Sequence, residues 1–168
     1  MIRALAASCL MLVLLSLAGG CAMRPLYGTA SADGSVPDAL ESVTIPEADN
    51  RLGQLIRNDL VSGMRPAGSG APDRYELVIN SRSREENAVE EEDSHVARRT
   101  VRVNATFVLR DIASGKPVFQ GKTFSVVAYD RTGQSFADLQ AFNDAIERAA
   151  RVVSTDIRTR VAAYFATN

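Results

Sequence analysis

The sequence predicts an α+β fold, a two-layer sandwich in which two helices pack on one face of a four-stranded mixed or antiparallel sheet. Four segments alternate apolar and polar residues, as half-buried strands do, and two segments repeat apolar residues at helical spacing. These segments follow the order β-α-β-β-β-α, and consecutive strands usually pair as antiparallel neighbours. Each helix has one apolar stripe and the sheet has one strongly apolar face, so we expect the helices to cover one sheet face and to leave the other open.

The first two predicted elements are a short strand and a helix. Residues 39–46 alternate weakly, and Pro46 is expected to end this strand or to place it at an edge of the sheet. Asp49 or Asn50 provides a helix cap, and the helix that follows is predicted to end at about residue 64. Its apolar stripe consists of Leu52, Leu55, Ile56, Leu60 and Met64.

Three further strands are predicted over residues 75–80, 101–110 and 117–129. The middle one alternates most regularly and is typical of a strand with one buried and one wet face. In the last one, Phe124 and Val126 share one face while Val127 and Tyr129 share the other, so both faces contain large apolar side chains. Gly121 predicts a bulge or a kink within this strand.

The remainder of the chain predicts one long helix over about residues 135–166. Asp138 lies in its first turn and arginines lie in its later turns, which is the distribution that the helix dipole favours. Its inward stripe is expected to consist of Leu139, Phe142, Ile146, Ala149, Ala150, Val153, Ile157, Val161 and Tyr164.

Cys21 follows a segment typical of exported bacterial lipoproteins. One positive charge, Arg3, precedes an apolar run without acidic residues, and small residues come directly before the cysteine. We therefore expect residues 1–20 to be removed as a signal peptide and Cys21 to carry acyl chains, which anchor a protein stably when two or more are present. The alternative is an ordinary secretory signal, cut near residue 18 or 22, with an unmodified cysteine.

This interpretation divides the chain into a signal peptide (residues 1–20), a lipidated N-terminus with a flexible tether (21–38) and a single α/β sandwich domain (39–168). Apart from the covalent lipid on Cys21, no cofactor and no metal are expected. The formal net charge of −1 and the aromatic content of 6% without tryptophan argue against a nucleic-acid partner.

Charged residues are densest between the second and third predicted strands. Acidic residues cluster between positions 85 and 93, and five arginines flank them: Arg82, Arg84, Arg98, Arg99 and Arg102. Planar guanidinium groups bind phosphate bidentately, so these arginines are candidates for recognition of a phosphorylated ligand. A solvated hairpin whose surface ion pairs contribute little is the alternative.

The same segment gives little support to a metal site or to catalysis. The acids at positions 90–93 are adjacent in sequence and lack calcium-loop spacing, and His95 is the single histidine of the chain. No catalytic serine motif, P-loop, zinc-protease motif or dinucleotide fingerprint is present. We therefore expect that the chain is not an enzyme; an envelope hydrolase that uses the acidic loop remains an alternative hypothesis.

The residues that begin at Cys21, Cys-Ala-Met-Arg-Pro-Leu-Tyr-Gly, resemble the start of the mature chain in the LptE family of lipopolysaccharide-assembly lipoproteins, in its alphaproteobacterial form. The Pro25-Leu26-Tyr27 segment carries the resemblance, whereas Ala22 and Met23 replace the glycine and aromatic residue that are common there. The predicted order of helices and strands is also similar to that of the family, whose fold is two helices on a four-stranded sheet.

The resemblance implies a non-catalytic lipoprotein, anchored by lipid at the periplasmic face of the outer membrane, where Ala22 is compatible with sorting to that membrane. Family members plug the lumen of the LptD β-barrel, assist its assembly, bind lipopolysaccharide and help to deliver it to the outer leaflet. Polar residues alternate with apolar ones along the predicted strands and give the sheet one polar face, which suits a polar barrel lumen. The alternative is a lipid-anchored accessory subunit of another envelope lipid-transport complex, and co-purification of a large barrel or of an inner-membrane ATPase would separate the two.

Overall fold

The computed structural model describes residues 36–65, 70–87 and 97–168. Three helices and four strands are present there: α1 (Val36–Glu41), β1 (Val43–Thr44), α2 (Arg51–Met64), β2 (Tyr75–Asn87), β3 (Ala97–Asp111), β4 (Pro117–Arg131) and α3 (Ser135–Thr167). The strands form one sheet in the order β1-β2-β3-β4, in which β1 is parallel to β2 and the other neighbours are antiparallel. This architecture confirms the predicted α+β fold with its mixed sheet.

The beginning of the fold differs from the prediction, because residues 36–41 form a helix and only Val43 and Thr44 are a strand. The N–H of Ser42 donates to the carbonyls of Asp38 and Ala39, which continues the helical turn past its last residue. Leu40 is buried in the core by this turn. Alternation over so few residues does not separate a strand from one helical turn. The additional helix also begins within the segment that the sequence assigned to the tether.

Helix α2 follows the prediction closely. Asn50 is its cap, and the Asn50 Oδ1 accepts a hydrogen bond from the Gly53 N–H at 2.8 Å. This bond satisfies one of the amide groups that a helix N-terminus leaves unpaired. The predicted stripe packs inward, with Leu55 half-buried and the other members buried: Leu52, Ile56, Leu60 and Met64.

Gly121 has a different role from the predicted bulge. The register shift between β3 and β4 lies at Leu109 and Arg110, near the start of β4. Gly121 instead lies opposite Phe107, and a Cβ atom at position 121 would come within 2.5 Å of the Phe107 Cζ. Glycine is therefore required because the buried phenylalanine ring crosses the backbone of the neighbouring strand.

Helix α3 confirms the predicted long helix, but its first turn is rotated relative to the expected stripe. Leu139 is 55% exposed, whereas Asp138 is buried. The Asp138 Oδ1 accepts a hydrogen bond from the Thr132 N–H at 2.7 Å, and its Oδ2 lies 3.5 Å from the Arg131 Nε. The carboxylate thus ties the end of β4 to the start of α3, and this tie selects the face that turns inward.

The core lies between the helices and one face of the sheet. Odd-numbered residues of the long strands supply its sheet side, and five large apolar residues among them are fully buried: Leu77, Val101, Val103, Phe107 and Leu109. Helices α2 and α3 cover them and also contact each other, with a hydrogen bond from the Ser154 hydroxyl to the Asp59 carboxylate. The even-numbered residues of the same strands remain on the open face. Within the described ranges, no helix combines the length and the apolar composition needed to cross a membrane.

Candidate functional site

The register of the three long strands determines which side chains meet on the open face. Arg82 in β2 lies opposite Asn104 in β3, and Arg84 lies opposite Arg102. The same row continues into β4, where Phe124 lies opposite Asn104. Because side chains in paired rows of one sheet face are neighbours, cationic, amide and aromatic groups are brought together at the centre of this face.

Four of the five predicted arginines share the open face: Arg82, Arg84, Arg98 and Arg102. Arg98 lies towards the hairpin end of β3, where its Nε is 3.1 Å from the Asp130 Oδ1. Both side chains of this pair are more than half exposed, so the pair is screened by water and remains open to exchange with an anionic ligand.

Arg99 does not join these four, because successive residues of a strand point to opposite faces. It lies on the helix-covered face, where its Nη1 is 3.4 Å from the Glu85 Oε1. The Tyr129 hydroxyl donates to the same carboxylate oxygen at 2.6 Å. Burial and, to a smaller extent, the hydrogen bond to the Glu85 carboxylate together raise the pKa of Tyr129 to about 12. Tyr129 therefore remains a donor at physiological pH and, with Arg99, secures Glu85 against the core.

Arg102 connects the charged part of the open face to an apolar part. Its guanidinium lies 5.5 Å from the centre of the Phe124 ring, in cation–π geometry, and its Nε is 3.3 Å from the Glu86 Oε1. Phe124 is 61% exposed and Val126 beside it is 44% exposed. The sequence analysis placed these two residues on one face of the strand but did not propose them as part of a site. Thr123 and Ser125 occupy the intervening positions of the strand and are buried on the covered face. These small polar residues fit beneath the helices, and their positions in the sequence are the feature that could have indicated that Phe124 and Val126 are exposed.

A shallow cavity of about 380 Å³ adjoins the arginines and is lined by Asn80, Arg82, Asn104 and Thr106. Among the described residues, neither Arg82 nor Arg84 is part of an ion pair. Amide, hydroxyl and guanidinium groups are therefore available together, next to an exposed aromatic ring. This combination suits a ligand that has both phosphate or sugar oxygens and apolar chains.

The predicted lipidation site and the residues of the alternative metal and hydrolase hypotheses are not part of the described structure. Cys21, the acids at positions 90–93 and His95 lie outside the described residues. Within the described part of the chain, no group of three or more His, Cys, Asp or Glu residues is arranged to hold a metal ion.

A family model described as "LptE: Lipopolysaccharide-assembly" matches residues 40–161, which is most of the chain. The chain belongs to the LptE family. The match spans the described core from the end of α1 to the last turns of α3. The LptE family is a non-catalytic family of accessory lipoproteins, in agreement with the expectation that the chain is not an enzyme. Membership also supports a role as a lipopolysaccharide-assembly lipoprotein.

Solved structures show the same fold. A candidate lipoprotein from Caulobacter crescentus CB15 is 27% identical, with a TM-score of 0.66, and the match covers 79% of this chain and 97% of that one. Rare lipoprotein B from Shewanella oneidensis is 13% identical, with a TM-score of 0.55 over 74% and 95% of the two chains. A minor lipoprotein from Acinetobacter baumannii is 13% identical, with a TM-score of 0.52 over 72% and 88%. No curated protein matches this LptE family member significantly.

Proposed function

We propose that this LptE family member is an outer-membrane lipoprotein, anchored through acyl chains on Cys21, that plugs the LptD barrel and assists its assembly. In this role it binds lipopolysaccharide at the periplasmic face and helps to deliver it to the outer leaflet. Residues 1–20 are the cleaved signal, and the residues that follow Cys21 tether the folded domain. The match of residues 40–161 to the lipopolysaccharide-assembly family carries this proposal.

The open sheet face supports the lipopolysaccharide part of the proposal. Lipopolysaccharide is an anionic amphiphile, and this face combines four arginines with the exposed Phe124 and Val126. Arg82 and Arg84 have no ion-pair partner among the described residues, so binding a phosphate there breaks no ion pair with that part of the chain. Arg102 is positioned by the Phe124 ring, which lowers the conformational freedom that binding would otherwise remove.

The experiment that tests the function is affinity purification of the tagged lipoprotein from detergent-solubilised envelopes, followed by identification of its partners. We expect a large outer-membrane barrel protein at a one-to-one ratio. Recovery of an inner-membrane ATPase complex instead would favour an accessory subunit of another lipid-transport complex. Absence of any barrel protein from the purified sample would contradict the proposal that this chain plugs a barrel.

The open face is tested separately with the triple variant Arg82→Gln, Arg84→Gln and Arg102→Gln. Hydrogen bonds to charged groups contribute roughly 1.5–3 kcal/mol each, so we expect the dissociation constant for lipopolysaccharide to rise at least about tenfold. Arg99→Gln is the control for the opposite face; because it removes one charge and the triple variant removes three, it is also compared with Arg82→Gln alone. Equal losses in the two single variants, or none in the triple variant, would exclude this face as the binding surface, whatever partner the purification finds.

A further inference from the structure

Among the described residues, the outer edge of β4 is the longest strand edge without a neighbouring strand. β4 spans Pro117–Arg131 and has β3 as its neighbour on one side, whereas at the opposite edge of the sheet the two residues of β1 pair with Tyr75 and Glu76 and leave the rest of β2 without a described neighbour. An edge strand exposes backbone N–H and C=O groups that template pairing with another strand, and proteins usually keep such edges short or charged. The unpaired part of β2 carries four charged residues between positions 82 and 86, whereas residues 123–129 of β4 are uncharged.

The outward row of backbone groups is identified by one hydrogen bond. The Arg148 Nη2 donates to the Ala128 carbonyl at 3.2 Å from the side away from β3. In an antiparallel strand the N–H and C=O of one residue point to the same side, and successive residues alternate. Even-numbered residues from Lys122 to Asp130 therefore present their backbone groups at the free edge. In the described part of the chain, Arg148 is the only side chain that bonds this row.

We infer that a second copy of this chain pairs with β4, antiparallel, about a two-fold axis that passes at Val126. In this register Lys122 lies opposite Asp130 of the second copy, Phe124 lies opposite its Ala128, and the two Val126 residues face each other. Opposite charges meet twice, and a large side chain meets a small one twice. A shift of the axis by one residue in either direction places no oppositely charged pair across the interface.

The charges of the described residues favour this occupant. Lys122 is exposed and takes part in no ion pair among the described residues, while the Asp130 carboxylate is 3.1 Å from Arg98. In the paired sheet each Asp130 would lie between Arg98 of its own chain and Lys122 of the other. Cross-strand pairs of opposite charge stabilise a sheet.

The helix layer has a matching feature at the same place. A groove of about 750 Å³ lies between β4 and α3, and Val127 and Val152 form its apolar part. Val152 is 52% exposed, and Arg148 and Asp156 lie one helical turn before and after it. A two-fold axis near Val152 brings Arg148 of each copy towards Asp156 of the other.

Pairing of β4 does not depend on the barrel or on lipopolysaccharide, so it extends beyond the proposed function. The dimer would cover the free edge while the chain has no other partner. Its formation requires Arg148 to release the Ala128 carbonyl, which then accepts from the Phe124 N–H of the second copy.

The test uses the purified chain with Cys21→Ala and two charge variants, Lys122→Glu and Asp130→Lys. Each variant alone places like charges opposite each other twice, and like-charge contacts are costly in an interface. We expect the dimer dissociation constant, measured by analytical ultracentrifugation, to rise at least about tenfold in each. An equimolar mixture of the two restores both opposite-charge pairs and should restore the dimer.

A disulfide measures the register and does not depend on the charge variants. Directly opposite residues of a hydrogen-bonded pair have Cα atoms about 5.5 Å apart, within the range of a disulfide. Val126→Cys, in the Cys21→Ala background, should therefore oxidise to a covalent dimer, while Ala128→Cys should not. A monomeric parent protein without a Val126 cross-link would overturn the proposal, as would a mixture of charge variants that stays monomeric. In those cases the edge is free or is covered by another segment or protein.

Discussion

The two faces of the sheet are built from the same strands and have opposite properties. On the covered face, residues such as Val103 and Leu109 are fully buried beneath α2 and α3. On the open face, their neighbours Arg102 and Asn104 are in contact with water. Because the side chains of a strand alternate, each strand contributes one set of residues to the core and the other set to the open face, where we propose that lipopolysaccharide binds. A substitution on either face is therefore expected to affect mainly stability or mainly this binding.

The largest difference between the faces is expected from the two phenylalanines. Phe107→Ala empties a fully buried site in contact with the Phe119 ring, at a centroid distance of 5.8 Å, and should lower the free energy of unfolding by about 3–5 kcal/mol. Phe124→Ala, on the open face, should lower it by less than about 1 kcal/mol. Urea unfolding of both variants makes the measurement. Equal losses would contradict the separation of the two faces.

A smaller effect is expected at Asp138, a buried carboxylate at the junction of β4 and α3. The hydrogen bond from the Thr132 N–H, with Arg131 nearby, holds the pKa of Asp138 below its usual value of 3.8. A lowered folded-state pKa contributes stability above the unfolded value, and this contribution is lost as the pH falls through the folded-state value.

Asp138→Asn should therefore be less stable than the wild type at neutral pH, and the difference should shrink as the pH falls below about 4. Thermal unfolding of both proteins between neutral and acidic pH provides the two curves. A difference that stays constant with pH would show that the charge of Asp138 does not contribute to stability. In that case the junction between β4 and α3 would be stabilised by packing alone.

The smallest expected effect is the coupling between Arg102 and Phe124 on the open face. An exposed cation–π contact contributes roughly 0.5–1 kcal/mol. A double-mutant cycle with Arg102→Gln and Phe124→Leu, measured by urea unfolding, should give a coupling energy in this range. The same cycle with Arg98→Gln should give none, because Arg98 pairs with Asp130 instead. An equal coupling energy in both cycles would contradict a specific contact between Arg102 and Phe124.

Periodicity alone correctly predicted the buried face of the elements whose large apolar residues all occur at one set of positions. The stripe of α2 from Leu52 to Met64 and the alternation of β3 from Val101 to Leu109 both turn inward as predicted. Periodicity did not predict the buried face of β4, because large apolar residues occur at both the odd-numbered and the even-numbered positions of this strand. There the pairing with β3 decides the outcome, because Ser125 lies opposite the buried Val103 and is turned inward with it. Phe124 is exposed as a consequence.

The sequence by itself determined the class of the fold and the family, since both follow from residue spacing and local motifs. It also identified the arginines as the concentrated positive charge of the chain. Only the tertiary structure decided which of them share a face, because Arg98 and Arg99 are adjacent in the chain and lie on opposite faces of the sheet. The side of a strand that is covered depends on the helices that pack against it, and these contacts join residues distant in sequence.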